Sequence, residues 1–209
     1  MVTFIAMDLV EGKTLQDFQS KDKGLGEAPA INLARQLAST LRLCASAAGG
    51  ASRSQPSNIF VTQDGRALLF DFGAALDLRT AIEGEASGIY GTPGFLAPEQ
   101  IRNGNAVDGR ADFYSLGVVF YRMITGRRPF YGTREDVLDA HLYTAPPPPS
   151  EFGYISPELE PVLLKLLAKD PVARYQTGAE LLTALDGVHL EAPPERAPQR
   201  LLRWLLARE

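Results

Sequence analysis

The sequence predicts a mainly α protein of the α+β family, a helical bundle carrying one short β-hairpin. Three observations carry that expectation. Ala111 to Thr125 is apolar nearly all round (Phe113 to Tyr121 reads FYSLGVVFY), the pattern of a buried central helix. Ile31, Ala34, Leu37, Ala38 and Leu41 recur at helical spacing, which predicts a helix from Ala28 to about Leu43. Asp64-Gly65 separates the apolar runs Asn58 to Val61 and Arg66 to Phe70, a hairpin signal.

The remaining elements follow in order. Val2 to Met7 reads as a short apolar strand and Asp8 to Gly12 as a connector. A long irregular segment is expected from Asp71 to Glu99. Thr133 and Asp136 form a capping-box pattern that opens a helix, because each side chain can reach the other's backbone N–H. His141 falls on that helix, which reads as a surface one. Pro146 to Pro149 cannot be helical and should form an extended surface loop. Ser156-Pro157-Glu158 and Thr177-Gly178-Ala179-Glu180 open two further helices. Tyr114, Phe120 and Tyr121 read as core. Ala192 to Pro198 is a polar, Pro-rich linker, and Arg200 to Glu209 is a short amphipathic tail.

Composition excludes several classes of function. The formal charge is −4, so nothing points to nucleic acid. One cysteine, Cys44, rules out a disulfide framework within the chain and fits a reducing, cytoplasmic compartment. Residues 1–10 are apolar but too few to span a bilayer and carry no basic leader. Neither histidine has a metal-ligand partner nearby in sequence.

The chemistry-bearing signal is Asp71-Phe72-Gly73, then Gly91-Thr92-Pro93, then Ala97-Pro98-Glu99. In that order, within one segment, these motifs resemble the activation segment of a protein kinase. The resemblance covers residues 1–188 and is closest to the C-terminal lobe of the bacterial serine/threonine kinases. It implies three regions: 1–12, the last small-lobe strand and hinge; 13–188, the kinase C-lobe; 189–209, linker and tail.

The resemblance also implies roles residue by residue. Met7 takes the gatekeeper position, Asp8 and Val10 offer backbone groups to adenine, and Glu11 meets the ribose. Asn58 and Asp71 hold Mg2+ on the phosphates of ATP, as hard oxygen ligands suit that ion. Gly73, Thr80, Ser87 and Thr92 lie in the activation segment, Thr92 being the substrate-side Thr of its turn. Asp112 accepts backbone hydrogen bonds from the catalytic loop, and Glu99 pairs with Arg174. A Ser or Thr on a protein substrate would accept the phosphate.

Two departures stand against activity. The family's catalytic loop is H-R-D-x-x-x-x-N. Counting back from Asn58 places Ala51, Ser52 and Arg53 at its first three positions, and Gln55 at the position of the loop Lys. Arg53 has no acceptor lone pair and cannot take a hydroxyl proton. Cys44 to Ser54 (CASAAGGASRS) has the composition of GC-rich codons read out of frame, so either a frame change or a drifted pseudokinase loop is expected. Residues 1–209 also contain no Gly-rich phosphate loop and no Val-Ala-Ile-Lys strand. Gly24-Leu25-Gly26 follows the hinge and lacks the third Gly. The expectation is therefore a kinase domain by descent, truncated and inactive as this chain, with a binding module or a gene remnant as the alternatives.

Overall fold

The computed structural model describes residues 10–18, 24–47, 58–69, 92–102 and 107–190, with only the backbone course given for 42–47. Among them the protein is mostly helical, with one three-stranded antiparallel sheet. The strand expected at Val2 to Met7 lies outside the described residues.

The sheet holds the first correction. Gly12, expected to end a connector, instead begins strand β1 (Gly12–Thr14). β1 pairs with β2 (Ile59–Thr62) and β2 with β3 (Ala67–Leu69), so β2 is central. The register sets Gly12 opposite Thr62 and Phe60 opposite Leu68. A Cβ on Gly12 would stand 2.3 Å from the Val61 carbonyl oxygen, so only glycine permits this approach. The turn between β2 and β3 follows the sequence: Gly65 has φ +77° and its N–H donates to the Thr62 carbonyl.

A single turn, α1 (Leu15–Phe18), follows β1, and Thr14 Oγ1 accepts from the Asp17 N–H at its start. Helix α2 (Glu27–Ala47) is four residues longer at its C-terminal end than the periodicity predicts. The alanines there are strong helix formers, so the backbone continues past the last apolar face position. Gly24 and Leu25 seat the start of this helix on the molecule. The Leu25 N–H donates to the Met123 carbonyl at 2.6 Å, and a Cβ on Gly24 would lie 1.8 Å from the Ile124 carbonyl oxygen. Gly24 thus serves close packing, whereas Gly26 takes a left-handed φ of +85°.

After the 3-10 turn Pro93–Phe95 come α3 (Pro98–Arg102) and α4 (Arg110–Thr125). α4 is the buried centre: Tyr114, Leu116, Val118, Val119, Phe120 and Tyr121 are inaccessible to solvent. It packs on α2 and on α6 (Leu159–Leu166), and α7 (Gly178–Asp186) lies against both α2 and α6. α4 ends at Gly126, whose φ of +79° is the left-handed cap a Cβ would resist.

α5 (Arg134–Tyr143) carries the expected capping box in full: Thr133 Oγ1 accepts from Asp136 N–H, and Asp136 accepts from Thr133 N–H. The polyproline run is extended at Pro146 to Pro148, but Pro149 is buried and opens a 3-10 turn. Tyr121 Oη donates to the Pro147 carbonyl and holds this run against α4.

Candidate functional site

The best-defined polar constellation is built around Arg174. The 3-10 turn Pro171–Ala173 delivers it, and Asp170 caps that turn by accepting the Val172 N–H at 2.9 Å. Gln176 then donates to the carbonyls of Pro171, Val172 and Arg174, which fixes the backbone on the far side. The Arg174 side chain is fully buried, yet each of its five donors has an acceptor. Nε donates to Ala168 O at 2.7 Å. Nη1 donates to Glu99 Oε1 at 2.6 Å and Arg110 O at 2.9 Å. Nη2 donates to Glu99 Oε2 at 2.8 Å and Lys169 O at 3.1 Å. This fork pins α3, the head of α4 and the 168–174 loop together.

A second layer lies against it. The Arg174 guanidinium stacks on the Tyr114 ring at 4.9 Å. Tyr114 Oη meets His141 Nδ1 at 2.8 Å. His141, expected on a surface, is wholly buried, edge-on to Phe130 at 5.0 Å between ring centres. Burial, reinforced by the Lys169 charge, drives its pKa down to about 4, so the ring is neutral near pH 7. Its Nε2 has no hydrogen-bond partner among the described residues. Only the nearby Gly94 backbone favours the charged ring, and that pull is weaker than burial.

Lys169 closes this layer. Its ammonium donates to the carbonyls of Ala140 and His141 at 2.9 and 2.8 Å and sits 4.5 Å from the Phe130 ring centre. It thereby sits at the C-terminal end of α5, where a cation is favoured, and shares the Ala140 carbonyl with the Thr144 N–H. Burial, and then Arg174, lower its pKa to about 8. Sequence reasoning missed Lys169 and His141. A signal existed for His141: it lies four residues after Val137, so the two share a helix face, and both are buried.

The turn Thr92–Phe95 rests on this scaffold. The Thr92 carbonyl accepts the Phe95 N–H, and Ser115 Oγ donates to the Phe95 carbonyl at 2.8 Å from within α4. Gly94 and Phe95 are buried, whereas Thr92 is exposed. Asp112 is buried in the first turn of α4, two residues beyond Arg110.

The other sequence-predicted positions divide in two. Val10 is half-buried before β1. Glu11 is exposed and accepts from Gln63 Nε2 at 3.3 Å, across the β1–β2 edge. Asn58 is half-buried at the head of β2. Met7, Asp8, Arg53, Gln55, Asp71, Gly73, Thr80 and Ser87 lie outside the described residues, as does the loop expected to bond Asp112. No group of three or more His, Cys, Asp or Glu able to hold a metal occurs among the described residues. No described helix is long and apolar enough to cross a membrane.

Comparison with known proteins identifies the architecture. The family model described as "protein kinase domain" matches residues 2–184. The chain is 36% identical over 201 residues to the serine/threonine-protein kinase PknB of Mycobacterium leprae, covering 95% of this chain and 32% of that protein. It is 34% identical over 190 residues to the probable serine/threonine-protein kinase CPE1738 of Clostridium perfringens, covering 90% and 27%. PknB of Mycolicibacterium smegmatis is similar at 35% over 202 residues, covering 95% and 32%. The chain thus spans about a third of the length of these curated relatives. With a family model over most of its length and bacterial serine/threonine kinases at this level of identity, the chain belongs to the protein kinase family.

Proposed function

We propose that this chain is a serine/threonine kinase domain by descent whose C-terminal lobe keeps its substrate-side scaffold, and that the chain does not itself transfer phosphate. In this reading residues 13–188 are the lobe, 1–12 the hinge with the last strand before it, and 189–209 a linker and tail. The observation that carries the inactivity is Arg53, five residues before Asn58, where the family's catalytic loop has its base. A guanidinium cannot accept the hydroxyl proton, and general-base assistance is worth about 10²–10⁴ in rate. Gln55 removes a cation from the phosphate as well.

Two residues retain a chemistry suited to magnesium. Asn58 offers an amide oxygen from the head of β2, and Asp71 a carboxylate, the hard oxygen donors that Mg2+ takes. They would hold the ion against the phosphates of ATP, where it neutralises charge on the transferred group. Met7, Asp8, Val10 and Glu11 would face the nucleotide's adenine and ribose. Glu99, Arg174 and Asp112 support the lobe; they do no chemistry.

The test is phosphate transfer from Mg-ATP to a generic basic protein. The 209-residue chain should show none. Restoring the loop alone (Ala51→His, Ser52→Arg, Arg53→Asp, Gln55→Lys) should leave it silent, because phosphoryl transfer also needs a Gly-rich loop and a Lys on the phosphates. The restored loop joined to a bacterial-type small lobe should transfer phosphate, and Asp71→Ala should abolish that. Transfer by the unaltered chain, lost on Asp71→Ala, would overturn the proposal.

A further inference from the structure

We propose that the loop of residues 150–160 is a docking face, and that its occupant is the segment 200–209 of the same molecule. The docking is independent of catalysis.

The loop is closed at its base. The Ser150 N–H donates to the Glu160 carboxylate at 3.1 Å, so the two ends meet. Ile155 and Ser156 are buried, and the Ser156 N–H donates to the Glu27 carboxylate at the head of α2. The Phe152 ring meets Tyr121 of α4 edge-on, 6.5 Å between ring centres. From this fixed frame Phe152 and Tyr154 stay 40% and 57% exposed. A Cβ on Gly153, between them, would meet no atom within 4 Å, so the space in front of the loop is open. Aromatic rings held out on an ordered loop offer contact area at little further loss of entropy.

Charge selects the occupant. Glu151 and Glu158 are exposed on this loop and Glu160 is half-buried, against one cation, Arg127, whose guanidinium lies 5.3 Å from the Phe152 ring centre. Segment 200–209 has the opposite balance, with Arg200, Arg203 and Arg208 against Glu209. Its Leu201, Leu202, Leu205 and Leu206 recur at the spacing of one helix face, beside Trp204. Apolar and cationic groups together match an aromatic and acidic surface. The other exposed aromatic rings suit it less. Arg128 lies over the Tyr131 ring, and Arg102 donates to the Leu142 carbonyl next to Tyr143.

The chain is long enough to make the contact. Arg35 of α2 donates to the Leu185 carbonyl at 2.9 Å and pairs with Asp186, which fixes the end of α7 on that helix. The loop is tied to the same helix at Glu27. Glu27 and Arg35 lie about 12 Å apart along the axis of α2. The described residues end at Leu190, which is itself exposed. Residues 191–199, with Pro193, Pro194 and Pro198, span up to about 28 Å when extended. The linker therefore reaches the loop with length to spare.

Trp204 is the chain's single tryptophan, so its fluorescence in the full chain reports on this segment alone. Its emission should be blue-shifted and protected from acrylamide, and equally so on dilution. Phe152→Ser/Tyr154→Ser should shift the emission to the red and abolish the protection. Glu151→Lys/Glu158→Lys should do the same, and adding Arg200→Glu/Arg203→Glu should restore it. Rising salt should weaken the protection. Thermal unfolding followed by circular dichroism checks that each variant is folded. The charge swap, made on exposed carboxylates, keeps the test decisive if the aromatic variant unfolds. Emission from a fully exposed Trp204 in the unaltered chain overturns the proposal. Protection that survives both loop variants puts the segment on another face and overturns it too. Protection lost on dilution makes the occupant the same segment of a second copy, which overturns docking within one molecule.

Discussion

Arg174 gives two of its guanidinium nitrogens to the two carboxylate oxygens of Glu99, a residue 75 positions earlier in the chain, while its remaining donors go to backbone carbonyls. A buried cation is costly unless every donor is met, and here every donor is. Arg174→Ala would leave the Glu99 carboxylate and three carbonyls without their partner. It should destabilise the fold by about 3–5 kcal/mol in urea unfolding. Arg174→Lys should recover only a minor part, since an ammonium has three donors and no planar fork. A loss below about 1 kcal/mol for Arg174→Ala would show the pair to be dispensable.

His141 should make the fold sensitive to mild acid. Its pKa is about 4 when folded, against 6.5 for an unperturbed imidazole. Between those values the unfolded chain binds more protons, so stability rises with pH across the window. The contribution is complete above about pH 6.5 and is lost as pH falls towards 4. His141→Phe should remove this slope from a series of unfolding midpoints between pH 4 and 7, whatever it does to stability at pH 7. An unchanged slope in the variant would place the acid sensitivity elsewhere.

Gly117 sets the distance between α4 and α6. A Cβ there would lie 2.7 Å from Leu166 Cβ and 3.3 Å from the Leu166 carbonyl carbon, and neither can yield without moving a helix. Gly117→Ala gains helix propensity, about 1 kcal/mol, yet overpacking of about 1–3 kcal/mol should win. Thermal unfolding should show a lower midpoint. A higher midpoint would mean that the two helices can separate at little cost.

Thr133 should matter for α5 alone. Its hydroxyl satisfies the Asp136 N–H, and Asp136 returns the contact. Thr133→Ala should cost about 1 kcal/mol, and Thr133→Ser much less, because the serine hydroxyl can cap in the same way. Hydrogen exchange at the first turn of α5 should rise in the alanine variant while α4 stays protected. Faster exchange throughout α4 would show that the two helices unfold together.

The features legible from residues alone are those fixed by local geometry. The capping box at Thr133, the left-handed Gly65 turn and the apolar run of α4 each depend on residues within one or two turns of one another, so spacing is enough to find them. The kinase motifs were legible for another reason: their residue types and order are specific enough to identify the family. That likeness also led to the pairing of Glu99 with Arg174, though not to the five-acceptor geometry.

What only the tertiary structure decided is which polar residues become buried and which strands meet. His141 sits in a helix of mixed composition, and its burial comes from Phe130, Tyr114 and Lys169 closing over it from other elements. Gly12 became a strand because β2 lies beside it, a contact made across some fifty residues of chain. Side-chain spacing reports a residue's own helix face, whereas burial and charge are set by whatever packs against that face.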